Sequence, residues 1–410
     1  MMAGGGILTS RWSKGEWCVR ICIAIAATGL GYTAITYALA YSIRGIDPAY
    51  AHALAPGDGR ITALLSEQLS GPEASPADRV QSDSLARQAL HQDPTAIAAV
   101  ATLGINAQIR NNTALARHIF AYGNRLSRRD LRTRLWWIED AVSRGDVKGA
   151  LRQYDIALRT SRLAPDLLFP VLAKALDDPA IRLALVSRLK TQPTWSGPFI
   201  VYLADNAVDT ISVASLFKDI AKADVLLPAA SRAVLIRRLG EQGKFDEAWN
   251  LYSAITPGVD RRRSRDPNFT ATPAEPSIFD WVSIENDGVV ATFQHDEGGG
   301  VFEFSVPPGI GGPVLRQAQL LPPGEYFLEG RATGIDLPGS SQPYWALICA
   351  NTAEIGRVPI GVRSEGKFSG KFQVSKSCPV QYLSLIIRPS DKNEEIIGRI
   401  YQVKLNPIKQ

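Results

Sequence analysis

Few residues in this chain are placed to do chemistry, and their spacing suits few reactions. Its four histidines are His52, His91, His118 and His295. None stands in an HExxH helix, a catalytic triad or a Cys/His set of zinc spacing. The one local cluster is "QHDEGGG", where His295, Asp296 and Glu297 precede three glycines. Such a stretch could form a calcium loop or an acid–base pair. A strand that ends in a polar turn explains the same residues more simply. No nucleophile elbow or phosphate loop occurs in the sequence. A glycosidase needs only two carboxylates across a cleft, which leaves no local signature, so a glycan-processing enzyme stays an alternative. The expectation is a protein without catalytic residues, metal or cofactor.

The four cysteines are Cys18, Cys22, Cys349 and Cys378, and the compartment decides their chemistry. Residues 21–43, "ICIAIAATGLGYTAITYALAYSI", carry no charge. At 1.5 Å per helical residue they span a hydrocarbon core of ~30 Å. Arg11, Lys14 and Arg20 precede the run and Arg44 follows it. The positive bias puts the N-terminus in the cytoplasm and exports everything after residue 45. Trp12, Trp17 and Tyr41 suit interfacial anchors. A cleaved signal peptide is the competing reading, because "ALA" at residues 38–40 resembles a cleavage site. Either way Cys349 and Cys378 are the only exported cysteines, in an oxidising space. A disulfide between them would stabilise by roughly 3.5 kcal/mol in the chain-entropy model. Two buried free thiols are the alternative.

The bulk numbers agree with a globular exported protein. In 410 residues, 45% are hydrophobic and 21% charged, which excludes a disordered chain. Lys+Arg (45) nearly balances Asp+Glu (40), for a net charge of +5. That balance argues against dedicated nucleic-acid binding, which needs a concentrated basic face.

From residue 47 to 256 the hydrophobic period is helical. "TALARHIFAYGNRL" (Thr113–Leu126) and "KGALRQYDIALRT" (148–160) align Ala116 over Ala150, Phe120 over Tyr154 and Gly123 over Ala157, each 34 residues apart. The same step back reaches Ser82, Ala86 and Ala89. Small residues at the crossing with an aromatic four residues later resemble the tetratricopeptide repeat, as does Leu103-Gly104 in a first helix. The repeat's early Trp is absent, and Trp137-Ile138 stand where Leu-Gly is usual. The resemblance implies an α-solenoid that docks a protein partner. Arg125, Arg128, Arg129 and Arg132, with Arg134, crowd one helix start. They could serve an acidic glycan or protein, or be a solvated face. Trp136 and Trp137 are adjacent, so only one can face the core fully.

Residues 257–277 lose apolar periodicity and read as a linker. After them the period is two, in about eight short runs from "VVATFQH" to "GRIYQVKL", separated by Gly/Pro turns. That pattern predicts an antiparallel β-sandwich over 278–410. Trp345, Leu347 and Cys349 share one phase, which sets Trp345 beside the disulfide. "QLLPPGEYFLEGRA" and the opening "IFDW" resemble jelly-roll carbohydrate-binding modules. That resemblance implies an exposed aromatic to stack on sugar, with polar neighbours. Tyr344, Tyr382 and Tyr326, with Arg388, are the candidates for it, against cross-strand packing for each.

The resulting expectation is a multidomain α plus β protein. It comprises a cytoplasmic tail (1–20), one transmembrane helix (21–43), a TPR-like helical domain (47–256), a linker (257–277) and a jelly-roll-like sandwich (278–410). Its place would be the bacterial inner membrane, single-pass, with its bulk in the periplasm. Its role would be a non-enzymatic scaffold in envelope polysaccharide assembly or export; a protein-only scaffold is the alternative.

Overall fold

The apolar run lies within one helix of 30 residues, α1 (Lys14–Ile43), long and apolar enough to cross a membrane. The computed structural model describes residues 14–271, 273–285, 288–296, 299–335, 341–361, 366–390 and 395–408. Arg11, Trp12 and Glu297 lie outside them. The last turns of α1 dock onto the helices that follow. Ala40 is fully buried with Ala51, Ala55 and Ile61. The Tyr41 hydroxyl donates to Asp58 Oδ2 at 2.9 Å.

Two units follow from the packing, Met1–Arg162 and Leu163–Gln410. In the first, α2 (Pro48–Leu54) leads into three helical hairpins. These are α3 (Gly59–Gln68) with α4 (Pro76–Gln92), α5 (Ile97–Ile109) with α6 (Thr113–Leu126), and α7 (Leu131–Ser143) with α8 (Val147–Thr160). The last two hairpins start 34 residues apart in both helices, 97 to 131 and 113 to 147. Their caps repeat too. Asn112 accepts from Leu115 N at 3.1 Å and Asp146 from Gly149 N at 2.8 Å, satisfying otherwise orphaned amides. All nine residues aligned in sequence are buried, from Ser82 through Phe120 to Ala157. Gly104 is small for a reason: a Cβ there would strike the Phe120 ring. Phe120 in turn stacks on Trp136 at 4.7 Å, while Trp137 stays half-buried, edge-on to Trp136.

A polar node repeats at the same 34-residue step with its charges exchanged. In one unit Asp83 accepts from Asn106 Nδ2 (2.8 Å) and Arg110 Nη2 (2.6 Å). In the next, Asp140 stands where Asn106 stood, and accepts from Arg117 Nη2 (2.6 Å) and Arg144 Nη2 (3.0 Å). Asp140 is nearly buried and both arginines are about half exposed. We expect Asp140→Ala to cost about 2 kcal/mol, below the range for fully buried pairs because water screens the arginines. Urea unfolding checks this; adding Arg117→Ala should recover part of the loss. A midpoint unchanged by Asp140→Ala would remove the node from the account.

The second unit begins with α9 (Ala164–Lys174), α10 (Pro179–Leu189), α11 (Ser196–Asn206), α12 (Thr210–Lys222), α13 (Ala229–Glu241) and α14 (Phe245–Ile255). Here α11 packs on α13 and α12 on α14. The 34-residue step persists in contacts: Arg238 Nη1 donates to Ala204 O at 2.6 Å, and Lys244 Nζ to Thr210 Oγ1 at 3.2 Å.

Among the described residues ten strands follow: β1 (Val282–Ser283), β2 (Val290–Asp296), β3 (Gly299–Val306), β4 (Gly312–Gln319), β5 (Gly324–Thr333), β6 (Tyr344–Cys349), β7 (Glu354–Pro359), β8 (Lys367–Val374), β9 (Gln381–Ile387) and β10 (Ile396–Pro407). They form two antiparallel five-stranded sheets, β1-β4-β9-β6-β7 and β2-β3-β10-β5-β8. Alternating residues of both sheets fill the core, with Trp345 fully buried against Trp281 and Phe368. Cys349, ending β6, is bonded to Cys378 ahead of β9, with Cα atoms 5.6 Å apart. His295 and Asp296 sit in β2, paired with Gly300 and Gly299 of β3.

Within 257–277, read from the sequence as a linker, the stretch Ser264 to Phe269 packs onto the sandwich. Ser264 N donates to Leu405 O (3.1 Å) and Val403 N to Pro267 O (2.8 Å), so this stretch extends the second sheet beside β10. Phe269 is fully buried against Trp281 and Phe302. The Arg261 guanidinium pairs with Asp246 at 2.9 Å, and Arg262 and Arg263 with Asp260. The sequence looks like a linker because its apolar residues are sparse, not because its backbone is unpaired.

Arg265 holds this arrangement together. It is buried, and its Nε donates to Phe279 O (3.0 Å) and Nη1 to Gln319 Oε1 (2.7 Å), while Nη2 donates to Ala318 O. Its guanidinium lies over Trp249 of α14 and over Phe279. Burial pulls its pKa down to about 10, still charged at neutral pH. Beside it Tyr252 donates to Asp280 Oδ1 at 2.8 Å, and burial raises the Tyr252 pKa.

Candidate ligand faces of the sandwich

The sandwich offers two outward faces, and strand register decides what each presents. On the first sheet Arg316, Ser384, Ala346 and Arg357 are successive cross-strand partners over β4, β9, β6 and β7. The row is small in the middle and cationic at both ends. Tyr382 flanks it on one side, opposite Ile348, and Tyr344 on the other, opposite Ile386. The Arg316 guanidinium lies over the Tyr382 ring at 5.1 Å. Arg357 and Arg388 both lie over Tyr344, at 4.9 and 4.8 Å. The hydrogen bond that Arg357 donates to the Glu354 carboxylate, then that carboxylate's charge, raises the Arg357 pKa. This face therefore offers guanidinium N–H groups held over aromatic rings.

Of the four sandwich residues singled out in the sequence, Tyr344, Tyr382 and Arg388 share this face. Tyr326 does not. It points into the core, 3% exposed, and its hydroxyl donates to Pro322 O at 2.8 Å. Burial raises its pKa. Both phases of β5 carry an aromatic, and the charged residues Glu325, Glu329 and Arg331 take Phe327 outward with them.

The second sheet carries a groove of about 920 Å³ on its outer side, within the usual range for ligand sites. Its walls include Asn268, Phe327, Glu329, Arg331, Tyr401 and Gln402, with Lys367 and Ser369 of β8 at one edge. A β-bulge creates its aromatic element. Ile400 faces Ala332 and Gln402 faces Arg331, so Tyr401 is the extra residue, unpaired in the ladder. Bulges re-aim side chains in this way and concentrate near functional sites. The half-buried Tyr401 ring lies under the Arg331 guanidinium, 4.8 Å away. Gln402 Nε2 donates to Asn268 Oδ1 at 2.8 Å, fixing the 264–268 stretch as one wall. Gly300 lets that wall close in, since a Cβ there would run into the Phe269 carbonyl.

Sequence reading passed over the groove, although one signal pointed to it. In "IIGRIYQVKL" the inward residues are Ile396 and Ile400, then Val403 and Leu405. The switch of phase at Tyr401-Gln402 marks the bulge.

In the first unit the arginine group divides. Arg125, Arg128 and Arg129 are exposed, Arg125 over the Tyr122 ring. Arg132 pairs with Glu67 and, at 3.7 Å, with Asp130. Arg134 is buried, donating to Gln153 Oε1 at 2.9 Å and to Asn124, and burial lowers its pKa. Among the described residues no three His, Cys, Asp or Glu side chains gather to hold a metal.

No family model matches the chain, and no curated protein matches it. Three solved structures show partial likeness. The enzymatically active domain of tailspike protein 4 from bacteriophage CBA120 covers 32% of this chain at 13% identity, with a TM-score of 0.24. The Glycosylation Associate Protein (Gap123) complex from Streptococcus agalactiae covers 29% at 16% identity and a TM-score of 0.21. The chain spans 20% and 40% of the length of those two. The pilF protein of Pseudomonas aeruginosa covers 49% of this chain and 96% of its own, at 16% identity and a TM-score of 0.28. Similarity at this level assigns neither family nor function.

Proposed function

We propose that this protein is a non-enzymatic, membrane-anchored scaffold of the bacterial envelope whose β-sandwich holds a glycan. The groove on the second sheet carries the proposal. Sugar recognition takes an aromatic surface for the apolar face of a pyranose and convergent polar groups for its hydroxyls. Tyr401 and Phe327 supply the first, and Asn268, Glu329, Gln402 and Ser369 the second. Among the described residues that line the groove Glu329 is the one carboxylate, where glycoside hydrolysis uses a facing pair. The repeated hairpins of the first unit suit a protein partner, with Arg125, Arg128 and Arg129 at its exposed turn. The apolar α1 and the Cys349–Cys378 bond fit an inner-membrane anchor with an oxidised periplasmic body. A role in envelope polysaccharide assembly or export follows from that combination.

A protein-only scaffold is the second reading, favoured by the first-sheet face. Tyr and Arg, abundant there, are the types that dominate protein interfaces. Equilibrium binding of the full chain in detergent to polysaccharide extracted from its host separates the two. Saturable binding is expected; none by a folded chain would leave the protein-only scaffold.

A further inference from the structure

The groove's charges are arranged for more than a neutral sugar. Gln402, Arg331 and Lys367 are successive cross-strand partners on β10, β5 and β8, forming a row of donors along one wall. Arg331 and Lys367 thus bring two cationic side chains to one place on that wall. In the next row Glu329 faces Lys404 on β10 and Ser369 on β8. The Arg331 guanidinium lies over the Tyr401 ring, 4.8 Å from its centre, a contact that restrains its position. A flat, oriented guanidinium matches a carboxylate with two parallel hydrogen bonds, and a lysine beside it adds a point charge.

Resting on the glycan reading above, we infer that the groove is selective for an acidic polysaccharide. A sugar carboxylate sits between Arg331 and Lys367, and its ring packs on the aromatic surface of Tyr401 and Phe327.

The test uses the full chain in detergent micelles and three carboxylated polymers: alginate, polygalacturonate and hyaluronate. Each is paired with the same polymer after its carboxyl groups are reduced to alcohols. At least one acidic polymer should bind tenfold or more tightly than its reduced partner, with an affinity that falls as salt rises. Arg331→Gln should erase that difference, and Lys367→Gln should narrow it. Lys371→Gln, on the same strand but off the groove wall, should leave it intact. Thermal unfolding of each variant confirms that it is folded. Equal binding of acidic and reduced polymers would overturn the selectivity and leave the glycan reading standing. An acid preference that survives Arg331→Gln would overturn the placement of the carboxylate. Binding of none of the six polymers would overturn the inference, while host polysaccharide still decides the broader reading.

Discussion

Replacing Arg265 with methionine should destabilise the second unit by about 3–5 kcal/mol. The side chain is buried, and it donates to the carbonyls of Phe279 and Ala318 and to the amide oxygen of Gln319. Methionine fills much of the volume but leaves those buried acceptors without a donor, each a loss of about 1–3 kcal/mol. The contacts span three elements: Trp249 of α14, the 277–281 stretch and β4. Loss of the guanidinium therefore loosens the helix from the sheet as well as the sheet edge itself. For a unit of this size the loss should lower Tm by roughly 10 °C. Arg265→Lys should rescue little, because one ammonium cannot reach the same spread of acceptors. Unfolding of Arg265→Met within 1 kcal/mol of wild type would show that segment 257–277 is not a fastening.

Removing the Cys349–Cys378 bond should cost roughly 3.5 kcal/mol, through the entropy of the 29-residue separation it closes in the unfolded chain. The bond ties the end of β6 to the turn before β9, two strands that already pair through Cys349 and Gln381. Folded contacts change little on reduction, so the loss falls on the unfolded state. A Cys349→Ser/Cys378→Ser double variant should unfold at lower denaturant than wild type. Reductant should shift the wild type to the same midpoint and leave the variant unmoved. If reductant leaves the wild type unmoved, the two thiols are unbonded in solution.

Much of the architecture was legible in the sequence because it is written in periods. The 34-residue step from Ala116, Phe120 and Gly123 to Ala150, Tyr154 and Ala157 located the hairpins, since buried small and aromatic residues must recur with the crossing they serve. The exchange of Asn106 for Asp140 hid the polar node, because identity changes while geometry is kept. The alternation of the strands set Trp345 and Leu347 inward. The same logic misplaced Tyr326, whose strand has aromatics in both phases. It was also blind to the 257–277 segment, where one buried arginine and one phenylalanine do the packing that a run of apolar residues usually does. The groove depends on a bulge, and a bulge breaks the very periodicity from which strands are read.

The central claim, a glycan held in the second-sheet groove, meets its most direct test in one comparison of faces. Binding of the full chain to host polysaccharide would be measured for wild type, Tyr401→Ala and the Tyr344→Ala/Tyr382→Ala pair. The account predicts that Tyr401→Ala weakens binding about tenfold or more, in line with about 1–3 kcal/mol for loss of an aromatic stacking surface, and that the first-sheet pair binds as wild type. Full binding by Tyr401→Ala, with loss in the Tyr344→Ala/Tyr382→Ala pair, would contradict it and move the site to the arginine-bearing face.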